Sequence, residues 1–154
     1  MKTISLLRGS AVAAVLCCPT ALLAQATPER AAEIAASLSR YLPPAEGALT
    51  VAPEGGDYRV TLDFAPYIAM MPQGLGNLSA TPLSMTLTET GGGLYEVAYD
   101  QGFSLHMAIE NALLLDMRID RMAGHGTFDP ALGAFLQSED MLTGLSLTEE
   151  IADP

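Results

Sequence analysis

Residues 84–119 read SMTLTETGGGLYEVAYDQGFSLHMAIENALLLDMRI, and apolar side chains occupy every second position over most of this stretch. Strict alternation of this kind is typical of strands that bury one face of a sheet. Turn-forming residues divide the stretch into four segments, at 91–93, 100–102 and 110–112. The sequence therefore predicts an antiparallel meander with one continuous apolar face.

The loop lengths set the predicted register of the meander. A three-residue loop at 100–102 requires a positive φ, which Gly102 can supply. A second three-residue loop at 110–112 keeps apolar residues opposite one another, whereas a two-residue turn would not. The resulting predicted pairs are Tyr99–Phe103, Val97–Leu105, Ile109–Leu113 and Met107–Leu115.

The apolar face of the meander has two interpretations. It is either core that a helix covers, or a concave surface that shelters an apolar ligand such as a lipid or acyl chain. The chain is rich in methionine, which suits adaptable apolar pockets. The candidate ligand-binding residues are Tyr95, Val97, Tyr99, Phe103, Leu105, Met107, Leu115 and Met117.

An amphipathic helix is predicted ahead of the sheet, from residue 27 to 42. Thr27 is suited to the N-cap and Pro28 to the first turn, and the prolines at 43–44 end the helix. Its apolar residues recur at helical spacing, namely Ile34, Leu38, Tyr41 and Leu42. We expect this helix to cover the sheet.

Three further segments complete the predicted order. A hairpin with a four-residue turn at 53–56 pairs Val51 with Tyr58 and Leu49 with Val60. A long connection at 65–82 holds a helical turn at 67–71 and a glycosylation sequon at Asn77, Leu78 and Ser79. Near the end, Asp129 is predicted to cap a short helix, and residues 141–150 form a last strand. The apolar residues of these segments are Tyr67, Ile68, Met70 and Met71 in the connection, and Leu132, Phe135 and Leu136 in the short helix.

The first 26 residues are predicted to be a secretory signal peptide. Lys2 and Arg8 precede a short apolar run, and residues 24–26 form the small-x-small triplet before cleavage. A lipoprotein anchor at Cys17 or Cys18 is the alternative, but neither cysteine follows a small residue. The mature domain, residues 27–154, would contain no cysteine, which excludes disulfides, thiolate nucleophiles and thiolate metal sites. We predict a periplasmic location.

The composition excludes some partners. Without Lys2 and Arg8, five basic residues face 18 acidic ones, which gives the mature chain a formal charge of −13. Such a chain repels phosphate backbones and anionic membrane surfaces, so we predict neither nucleic-acid binding nor electrostatic binding to a membrane. We also predict no transmembrane segment in the mature chain, because its apolar runs are too short. An apolar small molecule or another envelope protein remains as a possible partner.

Candidate catalytic chemistry is sparse, and we predict no enzyme, no cofactor and no metal site. His106 falls opposite Asp116 in the meander, beside Ser104 and Arg118, on the polar face. A catalytic triad would need a nucleophile elbow and a cleft, neither of which the pattern indicates. His125 stands between two glycines in a stretch without metal-ligand spacing.

Two runs resemble a family of exported Gram-negative β-rich proteins with a domain of unknown function. They are TPLSMTLTETGGGLYEVAYDQGFSLHM (81–107) and GTFDPALGAFLQSEDMLTGLSLTEE (126–150), and the likeness covers roughly residues 45–150. It rests on strands and turns, so it transfers no functional residue. Members are typically longer, which implies that the chain is a truncated relative or an N-terminal fragment.

We therefore expect an α+β fold, in which the N-terminal amphipathic helix packs on a curved antiparallel meander of six or seven strands. The leading functional hypothesis is a non-catalytic exported binding protein of the periplasm or envelope, with an apolar or lipid-like ligand. The alternative is a structural or protein-interaction module, whose apolar face the helix closes completely and whose partners use an edge strand.

Overall fold

The computed structural model of the protein describes residues 25–72, 76–109 and 112–151. The predicted signal peptide lies outside these residues, apart from Gln25 and Ala26. The elements are α1 (Pro28–Leu38), a 3₁₀ turn (Ser39–Tyr41), β1 (Leu49–Glu54), β2 (Asp57–Leu62), α2 (Ala65–Ala69), β3 (Asn77–Ala80), β4 (Leu83–Gly91), β5 (Leu94–Ile109), β6 (Leu113–Asp129) and β7 (Ala134–Ile151).

The strands form one open, curved antiparallel sheet in the order β1-β2-β4-β5-β6-β7, and β3 pairs with β5. The chain is broadly α+β and mostly β, as the alternating pattern predicts. None of the helices in the described residues is long and apolar enough to cross a membrane.

The first helix begins where the sequence predicts it, but α1 ends at Leu38 and a 3₁₀ turn continues only to Tyr41, short of the predicted end at 42. Thr27 caps α1, because its side-chain oxygen accepts a hydrogen bond from the backbone N–H of Arg30 at 3.2 Å. Ile34 is completely buried against the sheet, and Arg30 donates to the hydroxyl of buried Tyr95 at 2.7 Å. The helix therefore docks on the sheet through one apolar stripe and one hydrogen bond.

The core lies under α1, on the face of the sheet that we call the helix-side face. Tyr58 and Tyr95 meet there edge to face, with their ring centroids 5.9 Å apart. The core cluster comprises Ala31, Ile34, Tyr58, Val60, Leu87, Tyr95, Val97 and Phe128. Four strands and α1 contribute to it, so burial at this end of the sheet holds distant parts of the chain together.

The predicted hairpin at 100–102 is wrong. β5 continues through these residues as one strand of 16 residues and pairs with β6 from Tyr95 to Ile109, with one register shift between Gln101 and Phe103. Gly102 does not adopt a positive φ. The two predicted pairs across this loop, Tyr99–Phe103 and Val97–Leu105, are therefore absent. Because β6 is equally long, a continuous ladder satisfies more backbone groups than a tight turn would.

The loop predicted at 110–112 lies in part outside the described residues, but the register on either side of it is confirmed. Ile109 pairs with Leu113, and Met107 pairs with Leu115. The same register places His106 opposite Asp116, as predicted.

The register predicted for the first hairpin is wrong by two residues. Only Gly55 and Gly56 form the turn, and Gly55 has a φ of +66°. Val51 therefore pairs with Val60, and Pro53 pairs with Tyr58. A shift of two residues preserves the face, so the apolar residues of both strands still point towards α1.

The short helix predicted after Asp129 is also wrong. Asp129 instead accepts hydrogen bonds from the N–H groups of Ala131 and Leu132 in a turn at 130–133. Gly133 closes the turn with a φ of +66°, and β7 begins at the next residue. The last strand is thus confirmed, but it starts seven residues before the predicted position.

The long connection contains more structure than predicted. The helical turn is present as α2, and a short strand, β3, follows it and pairs with β5. β3 and β4 pair with different parts of β5, and the chain between them does not continue the ladder. Near this interruption the side-chain oxygen of Gln101 accepts a hydrogen bond from the N–H of Ser84 at 3.0 Å. At the same level β6 has one residue more than β5, between Ile119 and Met122.

Candidate functional site

An apolar cleft of about 430 Å³ lies where the end of α1 passes over the sheet. We refer to it as the apolar cleft. Its roof is the end of α1 and the residues after it, its floor is the helix-side face, and its wall is the β6–β7 turn. The lining residues are Leu38, Tyr41 and Leu42 in the roof, Leu49, Val60, Leu62 and Met85 in the floor, and Phe128, Gly133, Ala134 and Phe135 in the wall.

The wall of the apolar cleft is fixed to the helix. The buried hydroxyl of Ser37 donates to the carbonyl of Pro130 at 2.9 Å. A Cβ at Gly133 would lie 3.1 Å from the hydroxyl of Tyr41, so glycine allows the turn to approach the roof closely. The cleft is therefore a preformed space rather than a gap between independent segments.

A second space of about 260 Å³ adjoins the apolar cleft and shares Met85 and Phe135 with it. Tyr99 and Asp140 line this space, and the Tyr99 hydroxyl donates to the Asp140 carboxylate at 2.6 Å. Tyr99 reaches β7 across Gly124 of β6, where a Cβ would collide with both partners. The apolar cleft thus continues towards one polar pair.

The Tyr99–Asp140 pair gives a pH prediction. The hydrogen bond to the Asp140 carboxylate, and then burial, raise the pKa of Tyr99 to about 12, above the ordinary value of about 10. The folded state thus favours the neutral phenol, so its contribution to stability is full below about pH 10 and is lost as the pH rises through about 12. In Asp140→Asn we expect the Tyr99 pKa to fall, measured by ultraviolet absorbance of tyrosinate. Identical titration curves for the variant and the native protein would contradict this.

Another apolar space, of about 280 Å³, lies between α2 and the half of the sheet that contains β3, which we call the far half. The ring of Phe64 packs edge to face on Phe103, with the centroids 6.1 Å apart. Tyr67 of α2 donates to the carbonyl of Pro43 at 3.1 Å, which holds α2 on the helix-side face. The apolar cluster in the connection is therefore a partial cover for β3 and β5, apart from Met70, which is 62% exposed.

The predicted ligand-binding residues do not all lie in one place. Tyr95 and Val97 lie in the core beneath α1. Tyr99 lies beside the apolar cleft, and Phe103 and Leu105 line the space under α2. The other three, Met107, Leu115 and Met117, are partly buried on the far half of the helix-side face.

The residues of the apolar cleft were not among the predicted ligand-binding residues. Phe135 was assigned to a helix, because Leu132, Phe135 and Leu136 also match helical spacing. Leu49, Val60, Leu62 and Met85 all stood on predicted apolar strand faces. The missing information was the strand order, in which β2 of the first hairpin pairs with β4 and so brings these faces together.

The far half of the helix-side face is exposed on β7. Pairing of Ile119 with Leu145, Met117 with Leu147 and Leu113 with Ile151 carries the apolar face onto this last strand. The exposed fractions there are 53% for Leu142, 61% for Leu145, 62% for Leu147 and 73% for Ile151. We refer to these four residues as the open face.

The strand register assigns both histidines to the face opposite the apolar cleft, although His125 also borders the second space. Nδ1 of His106 is 2.6 Å from the Asp116 carboxylate, and both side chains are about half exposed. The Ser104 hydroxyl contacts Thr81 at 2.6 Å instead of the imidazole. His125 lies 3.7 Å from Glu139. Within residues 25–72, 76–109 and 112–151, no three His, Cys, Asp or Glu side chains form a group that could hold a metal.

No model of a protein family, no curated protein and no solved structure matches this chain.

Proposed function

We propose that this protein is a non-catalytic binding protein of the periplasm or envelope that holds an apolar, lipid-like ligand in the apolar cleft. The observation that carries the proposal is a preformed cleft of about 430 Å³ lined by apolar side chains and glycine. This volume falls within the usual range of about 300–1,000 Å³ for small-molecule sites. A ligand there would cover the rings of Phe128 and Phe135, which pack 5.4 Å apart in the wall.

The uncovered part of the sheet favours this proposal over a closed structural module. A module with a closed core would bury the whole helix-side face, whereas α1 and α2 leave the open face exposed. Among the residues that the structure describes, those that line the apolar cleft include no cation that could neutralise a carboxylate. The ligand that fits it best is therefore neutral, or has its polar group outside the cleft towards Tyr99 and Asp140.

The first experiment is native mass spectrometry of the mature protein purified from the host envelope, which should detect a co-purified apolar molecule. The second is titration with the neutral fluorescent probe N-phenyl-1-naphthylamine. We expect dodecanol to displace the probe at lower concentration than dodecanoate, because none of the described lining residues carries a positive charge that could neutralise a carboxylate. Absence of probe binding to the ligand-free protein would overturn the proposal.

The neighbouring residues Phe135 and Leu136 provide a matched pair of variants. They are 50% and 53% exposed, but only Phe135 lines the apolar cleft. Phe135→Asp should weaken probe binding about tenfold or more, since burying an aromatic side chain contributes about 1.5–3 kcal/mol. Leu136→Asp should leave the affinity unchanged. Equal losses in the two variants would show that the probe binds outside the cleft.

Export to the periplasm gives a separate prediction. The predicted export signal consists of the basic start, the apolar run and the triplet at residues 24–26. N-terminal sequencing of the exported protein should therefore begin at Thr27. A palmitate-labelled product that begins at Cys17 or Cys18 would show instead that the chain is a lipoprotein.

A further inference from the structure

The last strand of the sheet is a long open edge. β7 has 18 residues, all of them exposed, and it stands at the end of the strand order. One side of β7 pairs with β6, and no strand in the described part of the chain pairs with the other side. A long row of free N–H and C=O groups is a template for another strand. β7 also contains neither lysine nor proline, two residues that block such edges.

The open face determines the first property of an added strand. A strand paired with β7 would lie about 4.8 Å away. Its side chains on the helix-side face would lie beside the open face and beside Glu149, which stands between Leu147 and Ile151. The irregular Gly144 adds one residue to the alternation of β7 between Leu142 and Leu145. The four residues of the open face are apolar and more than half exposed. The occupant therefore needs apolar residues at alternate positions, which would extend the helix-side face by one strand.

The charges of β7 determine the second property. The strand carries Glu139, Asp140, Glu149 and Glu150 and contains no basic residue. Glu139 and Glu150 lie on the side opposite the open face, since they pair with His125 and Leu114 of β6. A second copy of this chain would add four more carboxylates to the ladder and no cation. Like charges on paired strands are destabilising, so the occupant is a different polypeptide with basic residues.

We propose that β7 is a docking edge for an extended segment of another polypeptide, in which lysine or arginine alternates with valine, isoleucine or leucine. The segment joins the sheet as an additional strand. Its apolar side chains cover the open face, and its basic side chains lie beside Glu139 and Glu150. This inference does not depend on the ligand in the apolar cleft, because the cleft and the edge are lined by different residues apart from Ala134 and Phe135 at the start of β7.

The probe for the test is a fluorescein-labelled 12-residue peptide of alternating lysine and valine, added to the mature protein and followed by fluorescence anisotropy. A matched peptide has glutamate in place of lysine, and another has N-methyl groups on alternate backbone nitrogens. We expect both changes to weaken binding at least tenfold, because they remove charge complementarity and main-chain pairing respectively. Hydrogen exchange should show protection of β7 amides by the lysine–valine peptide.

Two double variants separate docking on β7 from attraction by the overall charge. Glu139→Lys with Glu150→Lys should weaken binding of the lysine–valine peptide at least tenfold. Glu29→Lys with Glu46→Lys changes the net charge equally at exposed positions outside β7, and should have less than a twofold effect. Equal effects of the two variants, or indifference to N-methylation, would overturn the proposal. A stable dimer whose β7 amides are protected would identify a second copy as the occupant and also overturn it.

Discussion

Replacement of Leu87 by alanine should destabilise the protein by about 2–5 kcal/mol, while replacement of Leu147 should cost about 0.5 kcal/mol or less. Both leucines lie on the helix-side face of one sheet. Leu87 is 1% exposed and stands in the core beneath α1, whereas Leu147 is 62% exposed on the open face. The difference arises because truncation of a buried leucine leaves a cavity and truncation of an exposed one does not.

Urea unfolding of the two variants and the native protein measures this difference directly. The slope of the free energy against urea concentration should stay unchanged, because the same surface is exposed on unfolding. Leu87 does not line the apolar cleft, so ligand loss does not complicate the comparison. Equal costs for the two substitutions would mean that another molecule covers the open face in solution.

Introduction of a side chain at Gly126 should also destabilise the fold, by about 1–3 kcal/mol. A Cβ at this position of β6 would lie 2.5 Å from the carbonyl oxygen of Gln137 and 3.2 Å from the Cα of Ser138. Both atoms belong to the backbone of β7 and cannot rotate away. Gly126→Ala would therefore push β6 and β7 apart beside the apolar cleft.

Gly56→Ala is the control, because nothing lies within 4 Å of a Cβ there and the φ of Gly56 is not positive. We expect no loss of stability, and a gain of about 0.4–1 kcal/mol through the entropy of the unfolded chain is the ordinary result at such a site. Thermal unfolding followed by circular dichroism compares the two variants. A native-like stability of Gly126→Ala would show that β6 and β7 can move apart at this position without loss of stability.

Local patterns predicted the elements better than their pairing. The capping residue Thr27 and the stripe through Ile34 were sufficient for α1, because helix signals act over a few residues. Alternation located the strands of the meander and its apolar face, and the 109–113 register followed from the loop length. These predictions succeeded where neighbours in sequence are also neighbours in space.

The failures occurred where a distant strand decided the outcome. Asp100 and Gly102 carry a turn signal, but pairing with the full length of β6 overrides it. Phe135 satisfies both helical and strand spacing, and only pairing with Phe128 selects the strand. The apolar cleft was missed for the same reason, since its floor and wall come from parts of the chain about 90 residues apart, such as Leu49 and Phe135.

The position of Gln101 has a consequence for the mechanics of the sheet. At its level β4 separates from β5, β6 carries an additional residue, and Gly144 of β7 has a φ of +67°. These irregularities follow one another across neighbouring strands and form a transverse crease, where twist is concentrated because the regular ladder is interrupted. The crease divides the sheet into two plates, one beneath α1 and one beneath α2. The backbones of β5, β6 and β7 run through both plates, and the contacts of Phe64 with Phe103 and of Tyr67 with Pro43 also join them. We expect a load applied to the far plate to bend the sheet at this line before it disturbs the packing beneath α1.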